Sequence, residues 1–312
     1  MNEAEFKRVY SLSFTEAERY FRDKLTLESD AWDDLWQKAH AKAFTSAGAY
    51  QAELLSDLRT ITDKAIAGGL SITEFRQQFL PLVEKYGWQL KGGNAKWRSD
   101  LIWRTNISTA YQAGRWQQFR DGGIGYLMYV HNDSVRYPRP NHVALDGKIL
   151  PIDDPFWSYN YPPNGWGCKC RAVAAREAEY KTAPKEQTTI PAGYAEMADH
   201  GWQYNVGLAG EEHGYRALTA KFESLANDIA RAWMERFVME PAFARFLDGK
   251  IPGDFPVAVM QPADMELLAI DRQVVWLADT DLAKGTLTEK DYRLLPTIID
   301  QGEVYKDGDD LL

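Results

Sequence analysis

The chain has 312 residues, 45% hydrophobic and 26% charged, a composition that supports about two average domains of packed core and excludes disordered or collagen-like chains. Its net charge of −9 argues against a surface built throughout to neutralise phosphate, and no run approaches the eighteen apolar residues of a membrane span. Two cysteines, Cys168 and Cys170, cannot build a disulfide framework, and the first residues lack the apolar stretch of a signal peptide, so a reducing cytosol is the expected setting.

Up to residue 122 the apolar spacing is helical. Ser13 and Glu16 form a candidate capping box for a helix carrying Ala17, Tyr20, Phe21 and Leu25. A second helix is expected from about 31 to 44, with Trp32, Leu35, Trp36 and Ala39 on one face, and Trp32 and Trp36 in the core. A third, from about 50 to 67, carries Leu54, Leu55, Leu58, Ile61 and Ala65 and ends at Gly68-Gly69. Ser71 and Glu74 open the next through Phe75 and Phe79, and a long helix from about 96 to 120 closes at Gly122-Gly123.

Beyond the glycine pair, residues 126–130 and 148–152 read as strands, and prolines 138, 140, 151, 155, 162 and 163 break the rest into turns. Trp157 and Trp166 are the candidate surface aromatics of this module, although packing is the commoner explanation even for them. Residues 182–214 lack a sustained period and are expected to wrap over it. One long helix should span 215–247 with Leu218, Phe222, Leu225, Ile229, Trp233 and Phe237 at heptad-like spacing, interrupted at Pro241. Strands at 257–260, 274–277 and 304–306 and a helix at 289–300 behind Thr288 follow. Asp307-Gly308-Asp309-Asp310-Leu311-Leu312 reads as the turn of a hairpin whose return strand is missing, so a longer parent chain is expected. The expected class is α+β: a helical region 1–95, a loop-rich module 96–181, a connecting segment 182–214 and an incomplete α+β piece 215–312.

Charge is unevenly divided. Residues 248–312 hold fourteen acids and six bases, so the acidity belongs to that piece, and between Arg136 and Lys185 eight bases outnumber five acids. DNA contact by the basic module therefore stays open.

The densest group of unusual residues is Asp133-x-x-Arg136, then Asn141-His142-x-x-Leu145-Asp146-Gly147, then Pro162-Pro163-Asn164-Gly165-Trp166-Gly167-Cys168-Lys169-Cys170-Arg171. Two cysteines two apart on an extended segment project to one face and could clamp a metal, whereas a disulfide across so small a ring would be strained. A tetrahedral zinc needs two more ligands: His142 is the first candidate, and His131 or Asp133 the second. Such a zinc would be structural, since a loop-rich module has little core of its own. The alternative is that both thiols are small buried hydrophobes and His142 bonds a turn.

These residues carry a resemblance. Arg104-Thr105, Ala110-Tyr111 and Gly114-Arg115, then His142-x-x-Leu145-Asp146-Gly147, Pro162-Pro163 and Cys168-Lys169-Cys170-Arg171 resemble the phage Mu protein F-like head morphogenesis family. The likeness extends upstream into Glu16-Ala17, Tyr20-Phe21, Lys24 and residues 39–44, and downstream to residues 201–207, covering roughly 14 to 210. It implies a non-enzymatic minor head protein of a tailed phage or prophage, present in the phage head and in the host cytoplasm during assembly. Its implied partners are the portal or major capsid protein and genomic DNA, with no membrane. It also suggests that Arg104 and Arg115 pair with Asp133 or Asp146 to brace the module.

More faintly, Phe255-Pro256-Val257, Val274-Val275-Trp276-Leu277 and residues 288–296 and 302–305 resemble the phage-associated branch of the barnase, EndoU, colicin and RelE-like ribonuclease superfamily. That alternative implies a particle-carried effector whose general acid or base is a histidine. No histidine follows His213.

Overall fold

The computed structural model describes residues 14–133, 135–212, 214–260, 274–282, 287–302, 306–307 and 310–311. Ser13 of the expected capping box, residues 304–305 of the expected strand and Gly308-Asp309 lie outside them. The chain divides into two compact units: one comprises Met1–Phe21, Glu28–Ala41 and Thr45–Glu211, the other Arg22–Leu27, Lys42–Phe44 and Glu212–Leu312.

In the first unit, α1 (Thr15–Arg22) buries Ala17 and Phe21. The helix expected over 31–44 shrinks to Ala39–Lys42. The Ser29 hydroxyl donates to the Ala31 carbonyl, the Asp34 carboxylate accepts from the Asp30 amide, and Gln37 takes a left-handed φ of 44°. Such local bonds compete with helix formation. Trp32 and Trp36 are consequently 48% and 41% exposed, not core residues.

Three helices follow as the spacing predicts. α2 (Ala52–Gly68) buries Leu54, Leu55, Leu58, Ile61 and Ala65. α3 (Ile72–Lys85) opens on the expected capping box, in which the Ser71 hydroxyl accepts the Glu74 amide while the Glu74 carboxylate accepts the Ser71 amide. α4 (Ala95–Asp121) starts at Asn94, whose side chain accepts from the Trp97 amide. Its 27 residues span about 40 Å. α4 packs on α2 and α3, with Arg76 paired to Asp100 near its start.

After α4, β1 (Tyr126–Val130) lies at the centre of a three-stranded antiparallel sheet between β2 (Ile149–Pro151) and β3 (Arg171–Ala175). Two short helices punctuate it, α5 (Pro140–Ala144) and α6 (Phe156–Asn160). The core beneath combines Leu127, Tyr129, Leu150, Phe156 and Tyr161 with Tyr204, Val206 and Ala209, the last two on α7 (Val206–Glu211). Trp157 is wholly buried there and is not a surface aromatic. Trp166 packs edge-on to Trp202 at a centroid distance of 5.0 Å.

The second unit recruits two early pieces of chain. Leu25–Thr26 and Ala43–Phe44 pair as short parallel strands, with Leu25, Leu27 and Phe44 buried. The Asp23 carboxylate pairs with Arg245 at 2.5 Å, and its carbonyl accepts the Tyr215 hydroxyl at 2.6 Å. The single helix expected over 215–247 is instead Thr219–Ser224, α8 (Asn227–Phe237) and α9 (Pro241–Leu247). Ala226 is extended, and Pro241 occupies the first turn of α9, where a missing N–H costs nothing. Leu218, Phe222, Trp233 and Phe237 are still buried, whereas Ile229 is 38% exposed.

β4 (Asp254–Val259) pairs antiparallel with β5 (Val274–Ala278), the register shifting between Pro256 and Ala258. The helix expected over 289–300 is two, Glu289–Tyr292 and Leu295–Gln301, with Pro296 in the first turn of the latter. Lys306–Asp307 pairs with Asp310–Leu311, so the hairpin has a two-residue return strand where none was expected. Among the described residues no helix is long and apolar enough to cross a membrane.

Candidate metal centre

Strand register begins the site. Val130 of β1 lies opposite Arg171 of β3, so His131 and Cys170 meet just past the end of that ladder, with His131 Nδ1 3.4 Å from Cys170 Sγ. The Asp146 carboxylate accepts the His131 amide at 2.7 Å, and Gly147, at φ 73°, donates its amide to the Tyr129 carbonyl at 2.9 Å. Asp146 and Gly147 thus tie the turn after α5 to the end of β1. Cys168 precedes Cys170 by two residues, and period-two alternation turns both thiols inward. From α5, His142 aims Nδ1 at both sulfurs, 3.7 Å from Cys168 and 4.0 Å from Cys170.

His142, Cys168 and Cys170 are buried, with one ligand atom of each within 4.8 Å of the other two. Both cysteines are free thiols. Zinc–sulfur and zinc–nitrogen bonds in a tetrahedral site give an S···N edge of about 3.6 Å, close to the two His142 separations. His131 stands at the margin, touching Cys170 but outside the mutually close trio. Asp133 is exposed in the turn after β1 and is not part of the group.

A residue that spacing could not announce completes the cluster. His142 Nε2, turned away from the sulfurs, lies 3.4 Å from Asp199 Oδ1, and Asp199 Oδ2 lies 3.0 Å from Arg139 Nε. Arg139 also donates to the Trp166 carbonyl at 2.7 Å. A carboxylate behind the far nitrogen fixes which ring atom faces a metal. Asp199 comes from the segment read as a connector, and the local hint is Gly165: a Cβ there would lie 2.0 Å from Asp199 Oδ2.

The ionisable groups of the cluster shift one another's pKa values. Burial works against the His142 imidazolium, but Asp199 and Cys170 outweigh it and push its pKa up to about 9. The Cys168 S–H donating to Cys170 draws the Cys170 thiol down, against burial, with His142 assisting, while Cys168 itself is pushed up.

The remaining motif residues surround a groove of about 360 Å³ next to the cluster. Arg104, Thr105, Pro163 and Arg171 line it together with both cysteines. Arg115 instead rests its guanidinium 5.3 Å from the Phe119 ring centroid. Among the described residues neither Arg104 nor Arg115 pairs with Asp133 or Asp146; Asp146 is engaged by the His131 amide.

Residues 56–173 match the family model described as Phage Mu protein F like protein. The chain is 40% identical over 157 residues to the Mu-like prophage FluMu F protein of Haemophilus influenzae, an alignment covering 47% of this chain and 38% of that protein. It is 32% identical over 238 residues to protein F of Escherichia phage Mu, which is named for capsid assembly; this covers 62% of the chain and 54% of that protein. The chain thus spans about half or less of the length of these relatives. No solved structure matches it.

Proposed function

Residues 56–173 being a Mu F-like segment, we propose that this protein is a minor head protein of a tailed phage or prophage. It acts in head morphogenesis beside the portal or major capsid protein, in the virion and, during assembly, in the host cytoplasm. The observation that carries the reading is the 238-residue similarity to phage Mu protein F, named for capsid assembly. The protein should be present in purified heads or procapsids and co-purify with the portal; absence from both, with no portal co-purification, overturns the proposal. Nothing favours the ribonuclease alternative, since residues 214–312 contain no histidine and the acidic piece repels phosphate.

Within that protein, His142, Cys168 and Cys170 hold a structural zinc, with His131 placed to supply the fourth ligand. The support is the pair of S···N separations near a tetrahedral edge and the Asp199 carboxylate behind His142. Zinc would cross-link the ends of β1 and β3 to α5, where three short strands alone give little closure. Elemental analysis should find about one zinc per chain, lost in a Cys168→Ser, Cys170→Ser double variant. Equal zinc in that variant would refute the site.

A further inference from the structure

The groove beside the metal cluster has a chemistry of its own. Its lining includes three cations, Arg104 on α4 and Lys169 and Arg171 on the cysteine segment, and no carboxylate. Lys169 and Arg171 alternate with the two thiols and remain exposed while the thiols are buried, and Arg104 is exposed as well. Among the described residues none of the three has a carboxylate partner, although many of the chain's other basic side chains do.

Neutral groups on the same wall are left wanting. Gln112 is only 8% exposed, and its Oε1 has no hydrogen-bond partner; the Thr105 hydroxyl is likewise buried and unpartnered. Both line the groove. A half-turn of the Gln112 amide presents its NH2 instead, and a hydroxyl donates as readily as it accepts. Buried polar atoms without partners call for a ligand able to satisfy them. On the rim, Tyr111 is 51% exposed.

Unpaired cations spaced along a groove, neutral donors on its wall and an exposed aromatic ring at its edge match a repeating phosphate better than one small anion. We infer that this groove binds the phosphodiester backbone of a nucleic acid, with Arg104, Lys169 and Arg171 on phosphate oxygens and Gln112 and Thr105 donating to them. The net charge of −9 does not oppose this at contact range, because the acids are concentrated in residues 248–312 and the groove itself has none. The inference goes beyond the head-protein proposal and stands or falls separately from it.

The test uses the full chain and a fluorescein-labelled twenty-base-pair duplex, titrated by anisotropy over a series of salt concentrations. Arg104→Ala, Lys169→Ala, Arg171→Ala should weaken binding by at least about tenfold and flatten the salt dependence of log K by about 2.7. Lys64→Ala, Lys96→Ala, Lys185→Ala removes the same charge from exposed positions that do not line the groove and should leave binding within about twofold. All rim substitutions are at exposed sites, and unchanged circular dichroism checks the fold. Equal losses in the two triple variants, no binding by the unmodified chain, or displacement of the duplex by inorganic phosphate at equal phosphate concentration each overturns the inference. Head incorporation that persists without duplex binding overturns the groove alone.

Discussion

A single methyl group at Gly165 should disable the support behind His142. The three nearest neighbours of a Cβ there all belong to Asp199: Oδ2 at 2.0 Å, Cγ at 2.6 Å and Cβ at 3.2 Å. Asp199 must swing away, abandoning Arg139 at 3.0 Å and His142 at 3.4 Å. The Arg139 pair is about one-third exposed on both sides, so screening limits its worth to about 0.5–1 kcal/mol. Losing the carboxylate 3.4 Å from the buried His142 ring, an ion-pair contact rather than a formed hydrogen bond, costs about 1 kcal/mol more. The expected loss for Gly165→Ala is therefore about 1.5–2 kcal/mol, with zinc affinity falling about 10–100-fold. Asp199→Ala removes the same contacts and should cost the same. The sharper expectation is the double variant: once Asp199 is truncated, Gly165→Ala should add less than about 0.5 kcal/mol, because only the atom at 3.2 Å remains. Hydrogen exchange of the β1–β3 ladder amides in denaturant measures the stability, and chelator competition measures the metal. A double variant whose loss equals the sum of the two singles refutes the reasoning.

Chelator-treated protein should keep a nearly level stability between about pH 6.5 and 8.5. His142, its pKa raised to about 9, would by itself lose stability through this interval, but Cys170, its pKa drawn down, gains it at the same rate, because the unfolded thiol keeps its proton up to about 8.5. Urea midpoints should therefore stay level in the parent and rise with pH in His142→Gln, which removes only the first slope; a parent profile that falls steeply contradicts the assignment. Leu127 is fully buried at the centre of the sheet, so Leu127→Ala should cost about 2–5 kcal/mol by denaturant unfolding of metal-loaded protein, and a loss under about 1 kcal/mol would put it outside the core. Gln37→Gly should be neutral or stabilise by up to about 1 kcal/mol, since it relieves a left-handed residue. Were 31–44 a helix, as its spacing predicts, the same change would destabilise by about 1 kcal/mol, so the sign of the shift in thermal midpoint decides.

Local signals were the legible ones. The Ser71–Glu74 capping box, the end of α2 at Gly68-Gly69 and the β1 strand at Tyr126–Val130 depend on residues within one turn or one strand, and each occurs where the spacing puts it. Apolar periodicity misled where local bonds competed. Trp32 and Trp36, four apart, suggest a buried face, yet Ser29, Asp34 and Gln37 hold that backbone in turns. From 215 to 247 the periodicity found most of the buried residues but not the break at Leu225-Ala226, where an extended backbone intervenes. β3 went unread because Arg171-Ala-Val-Ala-Ala has one β-branched residue, and pairing with β1 rather than propensity makes it a strand. In the cluster, His142, Cys168 and Cys170 were legible as a candidate metal-ligating set. Choosing between His131 and Asp133 requires the register of β1 against β3, and Asp199 depends on a fold-back that no spacing encodes.

The second unit's dependence on residues 22–27 and 42–44 governs how the chain can be made and cut. On the ribosome Lys42 emerges 170 positions before Glu212, the residue whose carbonyl accepts its Nζ, and residues 22–27 emerge earlier still. Leu25, Leu27 and Phe44 must wait through that interval without the partners that cover them, and the unit cannot close before residues past 245 appear to supply Arg245 for Asp23. Nor can one proteolytic or genetic cut separate the two units cleanly. A truncated chain ending near residue 211 would strand three apolar side chains in water and is expected to aggregate, so loss of head incorporation on such a truncation would say nothing about what the removed residues do.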